Sequence, residues 1–461
     1  MENNTNAQAG TTDKQEKADA PTIRHSEPAG STGHLEAAIE REPNPIKRFL
    51  KILGPGFITG ASDDDPSGIG TYAQAGASLG FSTLWTALVT FPLMTVVQFI
   101  CGKVGMVSGM GLAGVLRKYY SRKVLYPVVL GLVIANTINA GVDIGAIAAA
   151  LNLLLPIPII AMIVPVTLII LALQIWGSYR VIAKVFKWLT LALFAYIASA
   201  FYAKPEMRDV LKGTFIPTFS FDSTFLMALV AILGTTISPY LFFWQASQEV
   251  EEEKDMGRTS LSQRKGATKK ELSDAKWDTT IGMLFSNVVM YFIILATAAT
   301  LFQAGKTDIE SATQAAQALR PLAGDGAYFL LAFGIIGAGF LAVPILTGSA
   351  AYAVSEAFGW KYGLDEKPAQ AKQFYAVICV STLIGMLIDF IGINPMKALF
   401  WTAVINGFLA PPLLVVIMLV ANNKKVMGDR VNGAWTNVLG WTTAVLMFAA
   451  AIALVLTWGK S

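Results

Sequence analysis

Asp63, Asp64 and Asp65 stand together in ASDDDPSGIG, residues 61–70, between the apolar flanks FLKILGPGFITG and TYAQAGASLGFSTLW. Asp-Pro can cap a helix, with Asp65 as N-cap and Pro66 at the first helical position. Capping uses one acid, however, and leaves the depth unexplained. At 1.5 Å per residue Asp65 lies roughly 20 Å along its span, near the middle of a bilayer about 30 Å thick. A carboxylate at that depth is costly unless it faces water or a cation. The triplet therefore reads as the acidic half of a cation site, with Asp65 its centre and Asp63 and Asp64 lining it or its aqueous approach.

A second interruption, GTTISPY at residues 234–240, breaks another apolar run. Pro239 removes a backbone donor and crowds the preceding turn. Unwound backbone at both breaks is expected to free carbonyl oxygens. With Asp65, Thr235 and Ser238 these make an all-oxygen environment, which suits Mg2+, Ca2+ or Mn2+. Asp143, in NTINAGVDIGAIAAALN, is another acid near mid-membrane. Two readings stand: a proton or ion relay, or a polar contact through Asn136, Thr137 or Asn139. Asn406, just before APP, reads as helix-packing glue or as part of the ion path. EVEEEKD, residues 249–255, is expected to be a solvated helix end, with a cation-concentrating funnel as its functional alternative.

The chain that must position these groups has 461 residues, 54% hydrophobic and 14% charged. Soluble domains carry about 25% charged residues, so the balance indicates a membrane protein. Repeated apolar stretches near 20 residues make it an all-α polytopic one, since a barrel shows short alternating segments. Both cysteines, Cys101 and Cys379, fall in apolar spans, which argues against a disulfide framework. Both histidines, His25 and His34, lie in a polar N-terminal stretch. The membrane part thus lacks imidazole, and no cofactor or nucleic-acid partner is implied.

Residues 1–45 read as a disordered cytoplasmic tail without an apolar signal region. Eleven spans follow, near 50–80, 82–107, 124–154, 157–176, 181–203, 222–248, 277–303, 326–357, 373–392, 396–421 and 434–458. Alternate loops are basic, with Arg117, Lys118, Arg122 and Lys123, then Arg180 and Lys184, then Arg258, Arg264 and Lys265. LLLPIP, on the opposite side, has no basic residue. The positive-inside bias puts the N-terminus in the cytoplasm and the C-terminus outside. Spans one and six carry the breaks, five apart. An odd offset turns a repeated unit upside down, and paired broken helices mark a secondary-transporter site at the midplane. The division expected is 46–205 and 206–422 as inverted five-helix repeats, then 423–461 as a loop and eleventh helix.

On these residues a resemblance is clear. GPGFITGASDDDPSGIGTYAQAGASLGF is similar to the first span of the NRAMP divalent metal transporters, whose motif there is Asp-Pro-Gly-Asn. GTTISPYLFFWQASQ resembles their sixth span, with Ala-x-x-Met-Pro-His. The resemblance covers residues 46–458 and implies the amino-acid-transporter-like fold, broken at helices one and six around the metal. It places the metal-binding Asp on Asp65, the Asn on Gly68, the Ala on Thr235, the Met on Ser238 and the His on Tyr240. An Asp and Glu pair of the third span falls on Ala140 and Asp143, and a tenth-span Gln finds no counterpart.

These departures resemble those of the NRAMP-related Mg2+ transporters. Losing the Met sulfur removes a soft ligand, and smaller side chains widen the pocket for an ion that keeps its water. The expectation is a monomer in a bacterial inner membrane that carries Mg2+, with Mn2+ also accepted, without tight proton coupling. Two charges crossing 100 mV gain about 4.6 kcal/mol, so the membrane potential alone could drive uptake. The alternative is a conventional proton-coupled Mn2+/Fe2+ transporter. A sodium-coupled organic-solute symporter fits the acid triplet badly. An intramembrane aspartyl protease using Asp65 and Asp143 lacks Gly-x-Gly-Asp and gives the Asp-Pro break no role.

Overall fold

The computed structural model describes residues 54–177 and 191–457, and helices make up all of its regular structure. The tail, His25, His34, Arg180 and Lys184 lie outside the described residues.

Proline and aspartate punctuate the first span. Helix α1 (Pro55–Asp63) opens on a proline, and α2 (Pro66–Leu79) opens on another with Asp65 as its N-cap. The chain is non-helical only at Asp64 and Asp65. Next come α3 (Trp85–Ser108), the short α4 (Leu112–Tyr119), α5 (Arg122–Leu154) and α6 (Ile159–Trp176). Helices α7 (Ala195–Tyr202) and α8 (Met207–Phe215) lead to the second break.

That break separates α9 (Ser223–Thr236) from α10 (Pro239–Asp255), with Ile237 and Ser238 non-helical between them. Asp222 caps α9 by accepting from Phe225 N at 2.8 Å. The Ser220 hydroxyl, and then that backbone N–H, hold the Asp222 carboxyl below the usual carboxylate range. The remaining long helices are α11 (Lys269–Thr297), α12 (Ala327–Phe358), α13 (Lys372–Ile388), α14 (Pro395–Ala421) and α15 (Ala434–Thr457).

Among the described residues, nine helical stretches are long and apolar enough to cross a membrane. The two expected spans missing from that set are the first and the fifth. The first is split at Asp64–Asp65 into pieces too short to qualify. Residues 181–190 of the fifth lie outside the described residues. Leu168, Ile169, Val380, Leu387, Val445 and Leu456 are exposed on α6, α13 and α15, an apolar surface suited to lipid.

Packing exchanges partners between the broken helices. Helix α11, which follows the second break, lies on α1 and α2; helix α3, which follows the first, lies on α10. An inverted repeat produces this crosswise arrangement. Helices α5 and α12 form the most extensive pair, at the centre of the bundle.

Backbones meet wherever glycines face one another, the close packing that small residues permit between membrane helices. A Cβ on Gly60 of α1 would overlap Gly282 of α11. Gly141 of α5 and Gly385 of α13 meet in the same way, within one parallel register that pairs Thr137 with Ser381 at 2.7 Å and brings Gly145 against Asp389.

The acidic end of α10 departs from expectation. Glu249 and Glu253 are buried rather than solvated. Gln245 donates to Glu249 at 2.8 Å, and Arg258 pairs with Glu253 at 3.5 Å and Glu271 at 2.5 Å. The loop arginine folds back over Glu253 and covers that side of the helix end, while Asp255 stays exposed.

Gly385→Val should push α13 off α5, because its Cβ would lie 2.8 Å from the Thr137 carbonyl oxygen. Overpacking of this kind costs about 1–3 kcal/mol. The check is a lower thermal unfolding midpoint in detergent, with Val380→Ala, on the exposed face of the same helix, near wild type.

Candidate metal site

The two breaks meet in the middle of the bundle. Asp65 caps α2, its Oδ1 accepting from Gly68 N at 2.6 Å. Its Oδ2 accepts from Asn139 Nδ2 of α5 at 2.9 Å. Thr235 of α9 faces this cap, since a Cβ on Gly68 would lie 3.1 Å from Thr235 Oγ1. Tyr240, at the start of α10, reaches across and donates from its hydroxyl to the Ser62 carbonyl at 3.1 Å. Ser349 of α12 in turn donates to the Tyr240 carbonyl at 2.8 Å. Tyr240 is therefore a tie between the breaks.

The acid triplet divides. Asp65 faces α5, whereas Asp63 and Asp64 face α11. There Ser286 Oγ lies 2.6 Å from Asp63 Oδ2 and 3.2 Å from Asp64 Oδ1. Three successive residues cannot point one way across the end of a helix, which is why the chain sequence alone left their directions open. Among the described residues, no three acidic, histidine or cysteine side chains converge as metal ligands. Any cation held at Asp65 would need backbone, hydroxyl or water oxygens to complete its shell.

Ser238 differs from the expectation of free carbonyls. Its hydroxyl sits 2.6 Å from the Thr235 carbonyl oxygen and 3.0 Å from that of Gly234, so it donates into the turn that the break exposes. The serine hydroxyl satisfies backbone that Pro239 leaves open, and its oxygen lone pairs remain for another partner.

Asp143 is fully buried, and the donor it faces is the Ser67 backbone N–H in the first turn of α2. None of the three named neighbours is bonded to Asp143, though each makes a polar contact to another helix. Asn136 donates to the Leu346 carbonyl, Thr137 pairs with Ser381, and Asn139 holds Asp65. Asp143 lies one turn beyond Asn139 on the same face of α5. One turn further, Ile147 and Pro66 of α2 both meet Gly339 of α12, which keeps this face of α5 along the start of α2.

Asp63 Oδ1, Asp64 Oδ2 and Asn139 Oδ1 are buried without partners, and the Tyr72 hydroxyl is turned to Thr235. Native interiors satisfy about 90% or more of such groups, so this concentration of unmet oxygens marks a place built to receive something polar. Asn406 is buried on α14, and no hydrogen bond connects it to Asp65. The sequence offered Asn139 as a contact of Asp143, whereas it donates to Asp65; Ser286 was missed.

A profile of the family described as natural resistance-associated macrophage protein-like (Nramp) matches residues 56–457. The chain belongs to the Nramp family. It is 27% identical over 428 residues to the divalent metal cation transporter MntH of Klebsiella pneumoniae, covering 90% of this chain and 96% of that one. It is 26% identical over 429 residues to the protein of the same name from Bacillus subtilis, covering 91% and 95%.

Among solved structures, an Eremococcus coleocola manganese transporter aligns over 90% of this chain and 88% of its own, with TM-score 0.69 and 18% identity. An inward-facing Mhp1 aligns over 88% and 89%, with TM-score 0.52 and 14% identity. At those identities the likeness establishes the fold. This Nramp chain departs from its family's pattern at Gly68, Ser238 and Tyr240, and Tyr240 is committed to the tie described above.

Asn139→Ala should strand Asp65 Oδ2 without its donor. An unmet buried acceptor costs about 1–3 kcal/mol, more when charged. A lower melting temperature in metal-free protein, with a smaller loss for Asn152→Ala at the exposed end of α5, is the expected outcome.

Proposed function

We propose that this chain carries divalent metal ions across a membrane by alternating access, with the ion bound where the two helix breaks meet. The observation that carries the reading is Asp65. It is a buried carboxylate at a helix break, set among oxygens that lack partners and facing Thr235 on the opposite break. A divalent cation neutralises such a group at a depth where water cannot. Family membership and the relatives' names support the same class of cargo.

Asp65 is the proposed ligand. Backbone or hydroxyl oxygens at Gly68, Thr235 and Ser238 complete the shell with water. Asp63 and Asp64 hold negative charge beside the path, and Asp143 lies on the path itself. Manganese is the cargo that the name of the structural neighbour supports. On this reading transport is proton-coupled in the conventional way, and Asp143 is the residue available to take a proton.

One observation favours a second reading, in which Mg2+ is preferred and coupling is loose. Ser238 puts a hydroxyl where the family pattern has a thioether, Gly68 has no side chain, and no sulfur lies in either break. Oxygen-only ligands suit Mg2+ as well as Mn2+.

Uptake into proteoliposomes separates the two. Asp65→Ala should abolish saturable Mn2+ uptake. Ser238→Met should strengthen Mn2+ competition against Mg2+ if oxygen-only ligation had opened the site to Mg2+. Luminal acidification in step with Mn2+ entry supports the conventional reading; saturable Mg2+ uptake without acidification supports the second. Failure of wild-type protein to move either ion rules out both.

A further inference from the structure

Helix α1 is nine residues long and joins α2 through two non-helical residues. Near that junction it is held by Ser286, which bonds Asp63 and Asp64, and by Tyr240, which bonds Ser62. Its far end is held differently. The Asp278 carboxylate of α11 accepts from three backbone N–H groups there: Gly54 at 2.9 Å, Gly56 at 2.7 Å and Phe57 at 3.2 Å. Pro55 has no N–H to offer, and the carboxylate spans it.

The carboxylate is 4% exposed and lies against the positive end of the helix dipole. Gly56 is needed for its approach. A Cβ on Gly56 would come within 2.8 Å of Asp278 Oδ2 and 2.6 Å of the Thr279 nitrogen.

On its other side α1 walls a cavity of about 220 Å³. Gly54, Pro55 and Ile58 line one side of it, and Glu251, Glu252 and Asp255 of α10 line another. Glu252 also comes close to Gly54 at the same helix end as Asp278. Thus α1 runs from the acidic cavity at its start to the Asp65 cluster at its end, and Asp278 holds that start.

We propose that Asp278 is the latch that holds α1 shut between the Asp65 cluster and this cavity, so that releasing its three N–H contacts opens the site to that side. The inference rests on the transport reading and deepens it by assigning a positioning residue. Charge-assisted bonds to one carboxylate form and break as a unit, which suits a two-state element. Asp222 provides a natural control, because it caps the other broken helix at α9, away from α1.

Thr59 is wholly buried on α1 and reports release of that helix. Thr59→Cys would be placed in a protein with Cys101 and Cys379 changed to serine. Its labelling rate by a polar maleimide would be measured in lipid nanodiscs, where both faces are open. Asp278→Asn should accelerate labelling roughly tenfold, the ratio that corresponds to about 1.4 kcal/mol. Gly56→Ala should do the same with Asp278 intact, and it decides the matter if Asp278→Asn does not fold. Asp222→Ala should leave the rate unchanged.

Unchanged labelling in both α1-end variants overturns the latch, as does equal acceleration by Asp222→Ala. If labelling accelerates as expected while wild type transports neither Mn2+ nor Mg2+, the latch stands and the cargo reading falls.

Discussion

A carboxylate in the middle of a bilayer must be compensated, and this constraint organises the protein. Four acids, Asp63, Asp64, Asp65 and Asp143, are buried together in a bundle whose outer surface is apolar. Hydrocarbon offers them nothing. Asp65 is met by the first turn of α2 and by Asn139, and the pair Asp63 and Asp64 by one serine. Asp143 is met by the Ser67 backbone N–H at the start of α2. The helix breaks are part of the same solution, because an N-cap can exist at that depth only where a helix starts there.

Close backbone packing makes the solution stable. The glycine contacts between α1 and α11, and between α5 and α13, bring helices near enough for short side chains to reach across. Ser286 reaches Asp63 and Asp64 because α1 and α11 lie that close. The crosswise exchange of α3 and α11 between the broken helices ties each half of the chain to the other's interruption. Two pieces of helix thus hold still without continuous backbone hydrogen bonding through the breaks.

The departures from the family pattern follow a chemical logic. Where the pattern has groups that bind soft metal or shuttle protons, this chain has Ser238, which satisfies backbone at the break, and Tyr240, which ties the two breaks together. Tyr240 is committed to structure, while the Ser238 oxygen keeps lone pairs beside the break. The acid chemistry is carried by the triplet and Asp143, and the proposed cargo must be read from oxygen ligands alone.

The sequence by itself determined the class of protein, the positions of both breaks and the residues that carry charge at depth. Those follow from hydropathy, from proline and aspartate placement, and from residue counting along a helix, all of them local properties. Legible in the same way were the start of α2 at Pro66 and the start of α10 at Pro239. Tertiary structure decided which way each acid points. Asp63 and Asp64 turn to Ser286 and Asp65 to Asn139, partners 223, 222 and 74 residues distant in the chain. It also decided that Glu249 and Glu253 are buried and that Asp278 holds the end of α1. Direction and burial depend on which helix lies alongside, and that is settled by glycine-mediated packing between segments far apart in the sequence.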